Sequence, residues 1–405
     1  MGLPDAFLKA MIWWAVLIGV ALSKWFLVSS VGEIHSHAEV DANGLFCTQL
    51  ISTMGYPCEE HQAVTADGFV LAVHRIPYGA MGKQITPTRQ PVFLQHGFMG
   101  GGDQWVLDSP QQSLAFILAD SGFDVWIGNL RCNRWSTGHA SLTTQDKKYW
   151  EWSWDEHATF DVPAMLQLVF NQTGSRAKYI GHSQGTIIFL AALSQSSVTQ
   201  FVDGAALLSP IAYLSQVTSI LAKTFATIFV DKVYLGLGVK EFDASSGLGK
   251  RLLQLYCSLR VSDCVNLITE LSGPNCCVDF SRMPFYTLYE PQSTSVKNIA
   301  HLLQMIRTGR FNKFDYGAVG NLQHYGQLQP PNYNLSRISQ DFSMLLAYGG
   351  EDALADESDV QYLVSKLPCH PRILHLPQYA HADFVLGTSA NKDLYEPIIN
   401  YFLGK

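Results

Sequence analysis

The chain has little charge. Asp, Glu, Lys and Arg make up 15% of its 405 residues, the net charge is −7, and no basic block occurs. A nucleic-acid partner needs clustered basic side chains, so that class of function is excluded. Apolar residues make up 47%, which excludes a disordered chain. The glycine fingerprint of a dinucleotide fold, the Walker loop and the H-E-x-x-H zinc signature are all missing. The eight cysteines lack the paired C-x-x-C spacing of a zinc site, and His35 and His37 alone are a weak metal signal. No cofactor and no metal are called for. Internal repeats and low-complexity tracts are also absent.

Long apolar runs are scarce too. Ala10 to Leu22, preceded by Lys9, is the main one, and it falls short of the roughly 20 residues of a membrane span. Residues 1–30 read as a signal peptide, with cleavage after Ser23 or Ser30. The alternative is a signal anchor that runs past Lys24 to Val31. Both send the rest of the chain into the secretory pathway, to be secreted or held in a vacuolar or lysosomal compartment. Asn171-Gln172-Thr173 and Asn334-Leu335-Ser336 are glycosylation acceptors. In an oxidising compartment Cys47 and Cys58 form the natural local disulfide. A second bridge is expected among Cys257, Cys264, Cys276 and Cys277, with its connectivity open, and Cys132 and Cys369 are expected to be free.

Beyond the leader the pattern turns to strands and helices. Gln62–Thr65 and Phe69–Ile76 flank Asp67-Gly68, a strong hairpin signal. Short apolar strands follow at 91–95, 124–127, 177–180 and 204–208, with helical spacing between them at 113–119, 155–170 and 186–193. Two more strands are expected at 344–348 and 372–376. Strands alternating with helices imply a mostly parallel sheet covered on both faces. The core is therefore read as residues 44–210 and 338–405, with a helical insertion at 211–337. Inside the insertion Val217, Ile220, Leu221, Thr224 and Ile228 share one helical face, widened by Phe225 and Phe229. That face is expected either to pack on the core or to line an acyl site.

One stretch carries chemistry. Gly181-His182-Ser183-Gln184-Gly185 lies between a strand and a helix, and a serine on such a sharp turn is exposed to act as a nucleophile. A serine hydroxyl also needs a base, an orienting acid and an oxyanion hole. In this kind of fold the acid and the histidine follow the serine in chain order. Asp352 sits in a loop after the strand at 344–348, with Glu351, Asp356 and Asp359 as rivals. His381 sits in the loop after the last strand. His139, His157, His370 and His375 are its rivals, and His182 reads as structural because it adjoins the nucleophile. The backbone N–H of Gln184 is one oxyanion donor. Phe98, in His96-Gly97-Phe98-Met99-Gly100-Gly101-Gly102, is the other, because the glycines let that loop turn toward the serine.

These motifs resemble the acid lipase family, the group that holds gastric and lysosomal acid lipases and their plant relatives. The matching stretches are GYPCEE at 55–60, TADGFVLAVHRIP at 65–77, LQHGF at 94–98, GFDVWIGNLR at 122–131 and GHSQGT at 181–186. FDYG at 314–317, QPPNYNLS at 329–336, YGGEDALAD at 348–356 and YAHADF at 379–384 continue the match. Asn275-Cys276-Cys277 is similar to the plant branch. The resemblance implies an α/β-hydrolase fold with a helical cap and hydrolysis of water-insoluble esters, chiefly acylglycerols or sterol esters, taken from a lipid–water interface through the cap. It carries the triad onto Ser183, Asp352 and His381, and the oxyanion donors onto Phe98 and Gln184. Where the family usually has Arg-Gly, this chain has Arg131-Cys132, so a reshaped loop is expected there. The other readings are an acyltransferase on the same triad and a non-catalytic protein that binds a small apolar ligand. The intact triad argues against the last.

Overall fold

The computed structural model describes residues 45–82, 89–243 and 247–405. The leader at 1–30 and the pair His35 and His37 lie outside the described residues. None of the described helices is long and apolar enough to cross a membrane.

The main sheet contains β1 (Glu59–Val64), β2 (Phe69–Ile76), β3 (Pro91–Gln95), β4 (Asp124–Gly128), β5 (Gly138–His139), β6 (Ala177–His182), β7 (Val202–Leu208), β10 (Met344–Gly349) and β11 (Arg372–Leu376). A separate antiparallel pair, β8 (Glu241–Phe242) and β9 (Thr294–Ser295), lies in the insertion. The order is β1-β2-β4-β3-β6-β7-β10-β11, with β5 on β2. From β4 to β11 the pairing is parallel, and β1 and β2 are antiparallel additions at one edge. The Asp67-Gly68 turn closes that hairpin, with Gly68 at φ 96°. This is the mostly parallel sheet that the strand–helix rhythm implied, arranged as the α/β-hydrolase fold that the resemblance implied.

Helices cover both faces. Outside the insertion they are α1 (Leu114–Asp120), α2 (Val162–Thr173), α3 (Gln184–Ser194), α11 (Glu357–Lys366) and α12 (Glu396–Phe402). Inside it are α4 (Ile220–Thr227), α5 (Val230–Gly236), α6 (Gly247–Leu259), α7 (Val261–Ser272), α8 (Met283–Tyr289), α9 (Val296–Thr308) and α10 (Gly317–Tyr325). Successive strand side chains point to opposite faces, so each central strand feeds two cores. Phe93, Trp126, Tyr179, Leu207 and Leu346 join the core around α2 and α3. Val92, Leu94, Val125, Ile127, Ile180, Leu208 and Leu345 join the core around α1 and α12. That explains why these strands read as continuous apolar runs.

Two expectations need correction. The apolar face assigned around Ile220 packs inward only in part: Val217 is buried in the core and Leu221 and Phe225 are half-buried. Ser219 caps α4 through its Oγ and sets its start, and Ala222 and Ala226 form the buried side. Small side chains let the helix seat closely, and Ile220 (73% exposed), Ile228 and Phe229 are left outward. The turn at Cys132 is also not remade to avoid a left-handed residue. Cys132 itself takes φ 66°, a conformation that ordinarily favours glycine. The disulfides are Cys47–Cys58, Cys257–Cys264 and Cys276–Cys277, and Cys132 and Cys369 are free and buried.

The residue before Cys132 anchors this turn. Arg131 is buried, and its guanidinium donates to Asp161 Oδ1 at 2.6 Å and to Asp67 Oδ2 at 2.6 Å. It also lies 4.0 Å above the ring of Phe69. The Asp161 carboxylate is itself buried, so Arg131→Met would leave a charge without its partner. A loss of about 3–5 kcal/mol in urea unfolding is expected, largely restored when Asp161→Asn is added.

Candidate active site

The nucleophile elbow is built by local strain. Ser183 sits between β6 and α3 with φ 53° and ψ −117°, and its N–H donates to Leu208 O at 3.0 Å. The tightness is enforced at Gly185, where an added Cβ would lie 2.7 Å from Gln95 O and 3.0 Å from His96 O. Both obstacles are backbone, so they cannot yield. On the other side a Cβ at Gly97 would come within 3.0 Å of Ser183 Cβ. The loop after β3 therefore rests directly on the serine.

Asp352 and His381 arrive from the ends of β10 and β11. His381 Nε2 is 2.8 Å from Ser183 Oγ, and His381 Nδ1 is 2.9 Å from Asp352 Oδ2 and 3.0 Å from Oδ1. Burial alone would raise the Asp352 carboxyl. The His381 charge and N–H, with the backbone N–H groups of Ala355 and Leu354, outweigh burial and hold it below its usual value. An ionised Asp352 can only accept, so the proton of a neutral His381 sits on Nδ1 and Nε2 is left to accept from the serine. The sign for stability follows: this carboxylate stabilises the fold above its unfolded value near pH 4, and the contribution is lost as pH falls through the lower folded value.

The rivals are occupied elsewhere. Glu351 is exposed, Asp356 caps α11, and Asp359 accepts from Ser215 Oγ at 2.6 Å and Gln216 N at 2.7 Å. His139 Nδ1 accepts from the backbone N–H of Ser141 and Leu142, and His370 and His375 are exposed. His182 holds the base in place, since its Nε2 donates to the His381 carbonyl at 3.0 Å. Burial, reinforced by the nearby His381 charge, pushes its pKa down to about 3, so it stays neutral. The last residue of α7 and the segment after it tie the two loops together. Ser272 O accepts from His381 N at 3.1 Å and from Ala353 N at 3.3 Å, and Asn275 Oδ1 accepts from Ala382 N at 3.0 Å.

Among the described residues, neither the Phe98 nor the Gln184 backbone N–H donates to another protein group. Phe98 follows Gly97, whose carbonyl accepts from His96 Nδ1 at 2.9 Å and from Gly100 N at 3.3 Å. Leu130 N donates to His96 Nε2 at 3.1 Å, so His96 carries its proton on Nδ1. Burial lowers its pKa to about 4 and keeps it in that neutral form. The Gln184 side chain donates to His157 Nδ1 at 2.9 Å and accepts from Asn298 Nδ2 at 3.1 Å. The sequence reading missed His96, His157 and Asn298 as parts of this site. For His96 a signal existed, since it stands beside the glycine that touches the serine.

Comparison with known proteins bears on the fold and the family. Residues 47–109 match a model described as a partial alpha/beta-hydrolase lipase region, and residues 90–236 match one described as the alpha/beta hydrolase fold. Triacylglycerol lipase 1 of Arabidopsis thaliana is 41% identical over 96% of this chain and 98% of its own length. The chain belongs to this lipase family. Gastric triacylglycerol lipase of Homo sapiens is 35% identical over 91% of the chain and 93% of its own length. Among solved structures, a thermostable carboxyl esterase from Bacillus coagulans shares the fold at a TM-score of 0.51, with 13% identity over 86% of this chain and 98% of that one.

Asp103, in the loop after β3, and Glu290, which follows α8, form a close pair of carboxyl groups. Burial raises Asp103 to about 6, while Trp135 and Arg134 pull the other way. Burial and the adjacent Asp103 carboxylate push Glu290 well above its usual value, with Lys250 opposing. Raised carboxyl values stabilise the fold fully below the unfolded value near pH 4, and that stability is lost as pH rises through the folded values. Glu290→Gln removes one ionisation, so its melting temperature relative to the wild type is expected to be higher at pH 8 than at pH 5. Gly97→Ala is expected to push the loop off Ser183 and cut kcat on a soluble ester by about a hundredfold, the size of losing one oxyanion donor. Steady-state kinetics with a circular-dichroism check of the fold measures it.

Proposed function

We propose that the protein is a serine-dependent lipase that hydrolyses carboxylic esters of neutral lipid, triacylglycerol above all. The observation that carries this reading is the chain of contacts from Asp352 through His381 to Ser183 Oγ. Ser183 Oγ attacks the ester carbonyl carbon while His381 Nε2 takes its proton. The tetrahedral oxyanion is received by the N–H groups of Phe98 and Gln184, each worth about 3 kcal/mol. Collapse breaks the carbon–oxygen bond, and His381 gives its proton to the leaving alcohol. Water then attacks the acyl-enzyme by the same route, with His381 taking a water proton and returning one to Ser183, and fatty acid leaves. The names of the relatives support triacylglycerol as the substrate.

Residues 211–337 serve as a cap in this reading. Ser183 is 6% exposed and His381 7%, so a large lipid reaches them only when part of the cap moves aside. Ile220, Ile228, Phe229, Val233 and Leu237 are exposed on α4, α5 and the turns that end them, which suits a surface that meets a lipid–water interface. Three disulfides suit the secretory pathway. Asn171 and Asn334 are exposed, as glycan acceptors must be.

The test uses the glycosylated protein without its leader, given emulsified triacylglycerol and steryl ester side by side. Fatty-acid release faster from triacylglycerol, reduced at least about a thousandfold in Ser183→Ala, is expected. Equal turnover by that variant would sink the nucleophile assignment. Faster release from steryl ester would move the substrate class, and ester synthesis with an added alcohol would point to acyl transfer.

A further inference from the structure

The insertion meets the site at the end of α7, where it holds the loops of His381 and Asp352, and again between α8 and α9. Residues 290–298 run beside the loop after β3 and the start of α3. Glu290 Oε1 accepts from Gly101 N at 3.0 Å. Gln292 is 0% exposed, and its backbone N–H donates to Met99 O at 2.7 Å. Its side chain accepts from Arg134 N at 2.9 Å and donates to both oxygens of Asp103, at 3.1 and 3.0 Å. At the other end Asn298, also buried, donates to Gln184 Oε1 at 3.1 Å. Its own backbone N–H is held by Ser295 Oγ at 3.0 Å, which fixes the first turn of α9.

These bonds fall on Met99, the neighbour of Phe98, and on the side chain of Gln184, the two places that flank the candidate donors. Phe98 lies between two fixed carbonyls. His96 and Gly100 hold Gly97 O, and Gln292 holds Met99 O. Met99 has φ 53°, a strained state for a side-chain-bearing residue, so it needs an external tie to persist. Gln184 is fixed from two sides, by His157 in the core and Asn298 in the insertion. A narrow pocket lined by Gly97, Met99, His157, Gln184, Thr294 and Asn298 runs between them, so the two arms of the strap frame one space.

We infer that residues 290–298 are a working part of the oxyanion hole, in which Gln292 and Asn298 are positioning residues that hold the Phe98 and Gln184 donors. The inference rests on the serine-hydrolase reading above and adds residues that do not touch the substrate. It also divides the insertion: this strap stays with the chemistry, whatever the helices before it do.

The test combines Asn298→Leu, the near-isosteric Asn298→Asp and Gln292→Glu, each checked by thermal unfolding. Each variant is given a short soluble p-nitrophenyl ester and a small fluorophosphonate that labels an activated serine. Oxyanion placement acts on the tetrahedral state, so kcat and the labelling rate are expected to fall about tenfold to a hundredfold, while KM stays within about twofold. A merely structural role would lower the folded fraction and leave the folded enzyme's labelling rate unchanged, and that result overturns the inference. So does wild-type kcat in folded Asn298→Leu and Gln292→Glu. A folded wild type that the fluorophosphonate does not label would instead overturn the serine-hydrolase reading, and the inference with it.

Discussion

The closeness of two backbone turns governs this site. The loop after β3 and the elbow after β6 meet with no room for a Cβ at Gly185 and only a tight fit for one at Gly97. That contact sets the loop that carries Phe98 against Ser183. The parallel pairing of β3 with β6 provides the alignment, because Gln95 lies opposite Gly181 and both loops leave the sheet at the same level. The edges of the sheet can vary without disturbing it. A single added methyl group at the contact cannot be absorbed, since the nearest atoms at Gly185 belong to the main chain.

Much of this was legible in the sequence for a physical reason. Central strands of a parallel sheet are buried on both faces, so runs such as 91–95 and 204–208 stand out without any periodicity. The elbow announces itself because few residues other than glycine fit beside a strained serine. His381 and Asp352 could be placed at strand ends by order alone, although resemblance was needed to choose Asp352 over its neighbours. The tie between Gln292 and Asp103 was not legible. It joins residues 189 positions apart, and neither residue type nor spacing marks it. The α4 face misled because an apolar stripe at helical spacing says that a helix is amphipathic, and not which side is buried. Two alanines decided that instead.

Low overall charge has a counterpart in the interior. The buried histidines 96, 157, 182 and 301 all have depressed pKa values, with burial as the largest cause. Neutral imidazoles can donate from one nitrogen and accept at the other. His96 uses this to orient a peptide plane and His182 to hold a carbonyl. His301 bridges Ser153 Oγ and Asn312 O, stacked 4.1 Å from Trp154. The fold thus uses histidine as an uncharged two-ended connector at several points, while His381 links Asp352 to Ser183 Oγ.

The Ser272 carbonyl receives both His381 N and Ala353 N. His381 and the neighbour of Asp352, from loops 29 positions apart at their paired side chains, thus share one acceptor. The loops that carry Asp352 and His381 therefore share one anchor in the insertion, the last residue of α7, while their side chains meet at 2.9 Å and His381 alone reaches Ser183 Oγ, at 2.8 Å.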